Sequence, residues 1–331
     1  MVTPTVISTF AGGGGSSIGY KIAGYNELLA IEWDNNACET LEDNFNFPVW
    51  NRDITTVSAE EMMKELNITQ GELDVLDGSP PCQGFSVCGE RDVGDSRNEL
   101  FKAYAVLIKG IQPKAFVMEN VSGMTQGKMK GMWKIIMSTL QECGYRVKCK
   151  LMNAKYYGVA QSRERLIFVG VRDDIQYEFE YPKPSDKIVT VREAFEKVEN
   201  KTFPPFDYTK GKRKGMSVIE LFKQIKNWRT AEDILGEGKG FGIVRIGYNK
   251  PSKTVLKLIT NSAGLIHPVE NRHLTIEELK RLQSFPDDYK LHGTFANQWA
   301  RIGNSVPPLM MRAIATSLKE TVLEPYYKEK A

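Results

Sequence analysis

The chain is poor in the residues that build metal centres and cross-linked scaffolds. It has five cysteines, an odd number, and no C-x-x-C pair. That argues against a disulfide framework and a structural zinc site. Three histidines, His267, His273 and His292, offer no His-rich metal centre, so no metal is expected. No apolar run approaches the roughly 18–20 residues that cross a bilayer. Sustained heptads and a Gly-X-Y period are also missing, which excludes coiled-coil and collagen-like chains. The opening MVTPTVISTFAGGGG lacks the basic start and long apolar stretch of a signal peptide, so the cytoplasm is the expected compartment. Net charge is small as well: 44 Lys and Arg stand against 41 Asp and Glu over 331 residues, a balance of +3.

What the chain does have is an ordinary globular composition, 41% hydrophobic, and a length that suggests about two domains. Its charge is uneven. Residues 200–257 hold thirteen Lys and Arg against five Asp and Glu, a surplus of eight, so the remainder sums to −5. Lys210, Lys212, Arg213 and Lys214 cluster there. Arg245, Lys250, Lys253 and Lys257 follow, with Phe206, Tyr208, Trp228 and Tyr248 interleaved. Such a basic stretch suits phosphate neutralisation.

The first 171 residues alternate short apolar runs with helical patterns. Val6–Phe10, Leu28–Ile31, Leu73–Leu76, Ala115–Met118 and Leu166–Val171 read as strands; stretches near Ser17–Ala23, Asn35–Phe45, Ala59–Leu66 and Glu99–Gly110 read as helices. This alternation predicts an α/β fold with a mostly parallel sheet covered on both faces. From about Asp173 prolines and lysines multiply and the periodicity breaks. Leu309–Leu323 then shows one apolar stripe, expected to pack back on the first domain.

Ligands of such sheets bind at the carboxyl ends of the strands, and unusual residues gather there. Phe10-Ala11-Gly12-Gly13-Gly14-Gly15 follows a strand and precedes a helix. Glu32 ends the next strand, with Trp33 beside it as a flat face for a ring. The glycines alone fit a dinucleotide site, an S-adenosylmethionine site or a tight turn. Gly12, Gly14 and Gly19 place the third glycine too late for the G-x-G-x-x-G register. In Asp77-Gly78-Ser79-Pro80-Pro81-Cys82-Gln83-Gly84-Phe85-Ser86, two prolines fix the backbone just before a cysteine at a strand end. An α/β enzyme places a nucleophile at such a position.

Pro81-Cys82-Gln83-Gly84-Phe85-Ser86 resembles the nucleophile motif of the bacterial and phage-type C5-cytosine-specific DNA methyltransferases. Other motifs of that family follow in order. Phe10–Gly15 resembles the cofactor loop. Glu32-Trp33 resembles the acid and aromatic that hold ribose and adenine, and Asp53-Ile54 the pair at the adenine. Asp95–Phe101, including Leu100, resembles the segment that closes over the cofactor. Glu119-Asn120-Val121 resembles the catalytic glutamate motif, and Gln161-Ser162-Arg163-Glu164-Arg165 the arginine pair. Arg272–Pro286 and Gly303-Asn304-Ser305-Val306-Pro307 resemble the two late motifs. The matches run from residue 10 to 308. Two departures lie at the edge of the cofactor site: Ser8-Thr9 where the family often has Asp-Leu, and Asn98 where it often has Gly.

The resemblance implies a Rossmann-like, S-adenosylmethionine-dependent domain, residues 1–185 and 303–331, and a smaller, mostly irregular or β target-recognition domain, residues 186–302. It implies methyl transfer to carbon 5 of a flipped cytosine in double-stranded DNA, leaving S-adenosylhomocysteine. Cys82 is the nucleophile. Glu119 is the carboxyl at ring nitrogen 3, where burial would keep it protonated, and Asn120 bonds the backbone near Pro81-Cys82 or the base. Arg163 and Arg165, two apart at a strand start, would share a face and converge on one anion or carbonyl. Phe10, Ala11, Gly12, Gly14, Gly15, Glu32, Trp33, Asp53, Ile54, Pro81, Leu100, Asn304, Ser305 and Val306 are expected at the cofactor; Ser86, Lys212, Arg213, Lys214 and Arg245 at the DNA. A monomer is expected, and a cognate restriction endonuclease would not be physically required. A transfer-RNA cytosine methyltransferase of the same fold and a non-catalytic DNA-binding relative remain as alternatives. The first usually carries a Cys-Phe-Thr stretch absent here; the second would have no need of Cys82, Glu119, Arg163 and Arg165.

Overall fold

The computed structural model describes residues 3–81, 96–125, 130–237, 239–240 and 242–331. They fall into two compact units. The first comprises Met1–Asn153, Glu164–Lys183 and Met310–Ala331; the second comprises Ala154–Arg163 and Pro184–Leu309.

The first unit is built on a seven-stranded sheet in the order β3-β2-β1-β4-β5-β7-β6. The strands are β1 (Thr5–Thr9), β2 (Asn26–Glu32), β3 (Val49–Asn51), β4 (Val75–Gly78), β5 (Ala115–Val121), β6 (Tyr145–Asn153) and β7 (Glu164–Arg172). Only β7 runs against its neighbours. Helices α1 (Gly15–Ile22), α2 (Asn35–Asn44), α3 (Ala59–Glu65), α4 (Ser96–Ile111) and α5 (Lys130–Glu142) connect the strands. The central strands are near-continuous apolar runs because both faces are covered: Val6, Ile7, Val75, Leu76 and Ala115–Met118 are all buried. Tyr104 of α4 fastens that helix to the sheet, its hydroxyl lying 3.0 Å from the Leu76 carbonyl and 3.1 Å from that of Val117. The final stretch belongs here too: the Tyr25 hydroxyl donates to the Ala315 carbonyl (2.9 Å) and the Tyr327 hydroxyl to Asp74 (2.6 Å).

Strand order reverses between β1 and β4, and at such a switch point loops from adjacent strands diverge and open a crevice. The carboxyl ends of β1, β2, β4 and β5 carry Phe10–Gly15, Glu32, Gly78–Pro81 and Glu119-Asn120.

The second unit is mostly irregular. It contains α6 (Val191–Ala194), the hairpin β8 (Lys212–Arg213) and β9 (Met216–Ser217), α7 (Val218–Gln224), α8 (Glu232–Leu235), the parallel pair β10 (Ile243–Arg245) and β11 (Gly264–Ile266), α9 (Ile276–Gln283) and α10 (Phe295–Asn304). Val244, Leu265, Leu279, Leu282, Trp299 and Ile302 form one of its cores. Its limits differ from the expected 186–302. The connection Ala154–Arg163 joins it because Ser162 N–H donates to the Ser252 carbonyl (2.8 Å) and Ser252 N–H to that of Ala160 (2.8 Å). Residues 303–309 join it because Gln283 Nε2 donates to the Ser305 carbonyl (2.7 Å) and Leu309 N–H to Ser284 Oγ (3.1 Å).

Candidate active site

The loop after β1 is bent by three left-handed residues, Phe10 (φ 54°), Gly12 (φ 55°) and Gly14 (φ 77°). The two glycines adopt this region without steric cost. For Phe10 it is strained, a cost of order 1–3 kcal/mol that persists only where surrounding contacts impose it. Gly14 caps α1. The Gly12 N–H donates to Glu32 Oε2 (2.7 Å), which ties the loop to the end of β2. Glu32 Oε1 accepts the Trp33 and Asp34 N–H groups at 3.1 and 3.0 Å. A carboxylate has about four lone-pair sites, so Glu32 organises the loop with capacity for one further donor.

Beside this loop lies a pocket of about 200 Å³. Phe10, Ile31, Ile54, Pro81 and Leu100 supply apolar walls; Glu32, Trp33, Arg52 and Asp53 supply its polar and aromatic lining. The Trp33 ring is 74% exposed, so its face is available for stacking. Asp53 Oδ1 accepts Thr55 N–H (2.9 Å) and so sets the turn that drops Ile54 into the interior. An apolar slot with an open indole face and two carboxylates at its rim fits a nucleoside: the ring stacks and the carboxylates accept from hydroxyl or amino groups. The pocket gathers Phe10, Glu32, Trp33, Asp53, Ile54, Pro81 and Leu100 from the residues expected at the cofactor. Ile31 and Arg52 were not foreseen. Arg52 lies over the Trp50 ring (5.3 Å) and pairs with Glu61 at 2.6 Å. Ala11 and Gly15 belong to the loop itself.

The ends of β4 and β5 meet at a second cluster. Asn120 Nδ2 donates to the Pro80 carbonyl (3.0 Å), and its Oδ1 accepts the Val121 N–H (2.8 Å). Asn120 therefore fixes the backbone two residues before Cys82. Glu119 is buried, and Arg165 Nε lies 2.6 Å from its Oε1. The register explains the pair: Arg165 sits opposite Val121, so Glu119 is its diagonal neighbour on the same face. Below them, burial pushes the Asp77 carboxyl up to about 7, against hydrogen bonds from Ser16 and Tyr20 that lower it, while the nearby Glu119 adds to the rise. Burial likewise pushes Glu27 up to about 8, with Ser17 Oγ donating to it at 2.9 Å.

Cys82 and Ser86 lie outside the described residues. Several of the expected residues belong to the second unit. Arg163 lies just before β7, in the second unit, where its Nη1 donates to the Val255 carbonyl (3.2 Å). Asn304, Ser305 and Val306 also fall in the second unit. There Ser305 Oγ donates to the Arg301 carbonyl at 2.7 Å and closes α10. Arg245 is not a free phosphate contact. It is 5% exposed, and its guanidinium donates to the carbonyls of Phe222, Ile225, His267 and Glu270 and to Asn271 Oδ1. Lys212, Arg213 and Lys214 are exposed on the β8–β9 hairpin.

Known proteins match this chain along its length. The family model of the C-5 cytosine-specific DNA methylases matches residues 4–320. The Type II methyltransferase M1.HphI of Haemophilus parahaemolyticus is 34% identical over 332 residues, covering 95% of this chain and 86% of its own. M.DdeI of Desulfomicrobium norvegicum is 34% identical over 367 residues, covering 94% and 87%. Among solved structures, a candidate DNA modification methyltransferase encoded within an Escherichia coli prophage superposes with a TM-score of 0.77 at 25% identity, covering 96% of this chain and 99% of its own. The sheet and these matches agree: the chain belongs to the C-5 cytosine-specific DNA methylase family and is an S-adenosylmethionine-dependent DNA cytosine-5 methyltransferase.

Proposed function

We propose that the chain methylates cytosine in a specific duplex sequence through a covalent bond to Cys82. The observation that supports this reading is the Asn120–Pro80 bond (3.0 Å), which ties Pro80, two residues before Cys82, to the residue that follows Glu119. The Cys82 thiolate adds to carbon 6 of the base, and the ring electrons move toward nitrogen 3. Glu119 supplies a proton there and neutralises the charge, held in place by Arg165. Carbon 5 thereby becomes nucleophilic. Phe10, Glu32, Trp33, Asp53, Ile54, Pro81 and Leu100 would hold S-adenosylmethionine, which supplies an electrophilic methyl group. Return of the nitrogen-3 proton to Glu119 and loss of the carbon-5 proton to water then expel Cys82 and restore the ring.

Carbon 6 is hidden inside a stacked duplex, so the target base must be flipped out, at a cost of a few kcal/mol. In this reading the first unit is the catalytic domain and the second the target-recognition domain. Lys212, Arg213 and Lys214 contact backbone phosphates. The enzyme works as a cytoplasmic monomer, within or apart from a restriction–modification pair. No helix among the described residues is long and apolar enough to cross a membrane.

A duplex carrying 5-fluorocytosine at the target tests the route, because fluorine cannot leave as a proton and the adduct persists. With S-adenosylmethionine the wild-type chain is expected to shift to a denaturant-resistant complex, and Cys82→Ser to lose it entirely. Methylation of DNA without any trapped complex would overturn the covalent route. Methyl incorporation into transfer RNA in preference to DNA would favour the RNA alternative.

A further inference from the structure

The second unit contains a concavity of about 490 Å³ with Lys253, Leu256 and Leu258 on its wall. These residues belong to a short strap, Ser252–Leu258, whose backbone is fastened at Ser252, Val255 and Leu256. Val255 N–H donates to Gln161 Oε1 (2.9 Å) and its carbonyl accepts Arg163 Nη1 (3.2 Å). Thr254 Oγ1 donates to the Ser162 carbonyl (3.0 Å), and Trp299 Nε1 to the Leu256 carbonyl (2.9 Å). Gly303 packs so closely that a Cβ there would stand 2.6 Å from the Leu256 oxygen. Behind Val255, the fully buried Gln161 and Gln283 amides bond each other, and Gln283 Nε2 ends on the Ser305 carbonyl (2.7 Å).

The strap's outward side chains are of a different character. Leu256 and Leu258 are 45% and 61% exposed, and Lys253 and Lys257 are exposed beside them. Large apolar side chains turned to solvent serve neither core nor solubility. Set between lysines, on the basic stretch of the chain, they complement a polyanion that also has apolar edges. In the major groove of DNA that edge is the 5-methyl group of thymine.

We propose that the strap reads a base neighbouring the target cytosine, with Leu256 and Leu258 meeting a thymine methyl group and Lys253 and Lys257 meeting phosphates. This rests on the DNA methylation reading but not on the covalent route. Gln161, Arg163, Gln283 and Gly303 are positioning residues that act through the strap.

Bisulfite sequencing of DNA from cells expressing the chain gives the target. Duplexes of that sequence are then made with each thymine replaced in turn by uracil, which lacks only the methyl group, and single-turnover methylation is measured. The wild-type enzyme is expected to slow about tenfold at one position, the worth of a methyl group in an apolar pocket. The L256A/L258A variant should lose that discrimination, and Lys253→Ala should weaken binding equally for all sequences. A target without thymine near the methylated cytosine, a wild-type enzyme indifferent to uracil, or a double variant that keeps the discrimination would each overturn the proposal. Trapping by 5-fluorocytosine, measured in parallel, reports on Cys82 separately.

Discussion

At the scale of single residues, Trp33 separates function from folding. Its ring is largely in solvent, so truncation removes little packing. Trp33→Ala should raise the Kd for S-adenosylmethionine about tenfold, in line with ~1–3 kcal/mol for stacking a base on an aromatic ring, with an unchanged melting temperature. Equilibrium dialysis and thermal denaturation check both halves. Glu27 and Asp77 have the opposite character. Each carboxyl is pushed up by burial, to about 8 and about 7, so the folded chain binds their protons more tightly than the unfolded chain does. Their contribution to stability is therefore greatest below pH 4 and falls as pH rises through about 7 and 8, until both are ionised in the folded chain near pH 9. A shift of that size corresponds to roughly 4 kcal/mol per group. Urea unfolding at pH 5, 7 and 9 should show the decline, and Glu27→Gln should flatten it.

At the scale of elements, the strand ends were readable because buried parallel strands are continuous apolar runs that stop at polar residues. Glu32, Gly78 and Glu119 all stood out in this way. Strand β6 did not. Its sequence, YRVKCKLMN, alternates apolar and polar residues from Tyr145 to Leu151, as a half-exposed edge strand does, and a reading keyed to continuous apolar runs passes over it. The Arg163 bond to the Val255 carbonyl spans 92 residues and has no local signal. Arg245 was misplaced because a count of charges is blind to burial. The Gln161–Gln283 contact joins residues 122 apart and leaves no trace in local pattern. The late motif around Arg272 has a physical meaning only in three dimensions. Arg272 grips Glu278 through two bonds (2.8 and 2.9 Å), and Glu278 also accepts the Thr275 N–H (2.9 Å) at the start of α9. Glu278 is 1% exposed. Arg272→Ala would leave that buried charge with only the longer Lys201 contact (3.4 Å) and the Thr275 N–H, at a cost of up to about 3–5 kcal/mol. Thermal denaturation should show the loss, and adding Glu278→Gln should recover only part of it, because the cap is weakened too.

For the whole molecule, the small net charge hides a basic stretch joined to an acidic remainder. A basic patch of this kind reveals itself through salt. DNA affinity should fall linearly on a logarithmic scale with salt concentration, with a slope of about −0.9 per phosphate neutralised. Replacing Lys212, Arg213 and Lys214 by alanine should make that slope shallower by about one for each residue that contacts a phosphate. Fluorescence anisotropy across a salt series measures this, and an unchanged slope would remove the β8–β9 hairpin from the interface.

The loan of Ala154–Arg163 to the second unit also bears on how target preference can be exchanged between related enzymes. The chain passes from one unit to the other four times. A transplant of residues 184–309 alone would deliver the strap without Gln161, Ser162 and Arg163, which fasten it. The heritable cassette is thus a split one: a long insert together with a ten-residue piece upstream. A hybrid that carries both pieces should keep the donor's sequence preference where the long insert alone loses it.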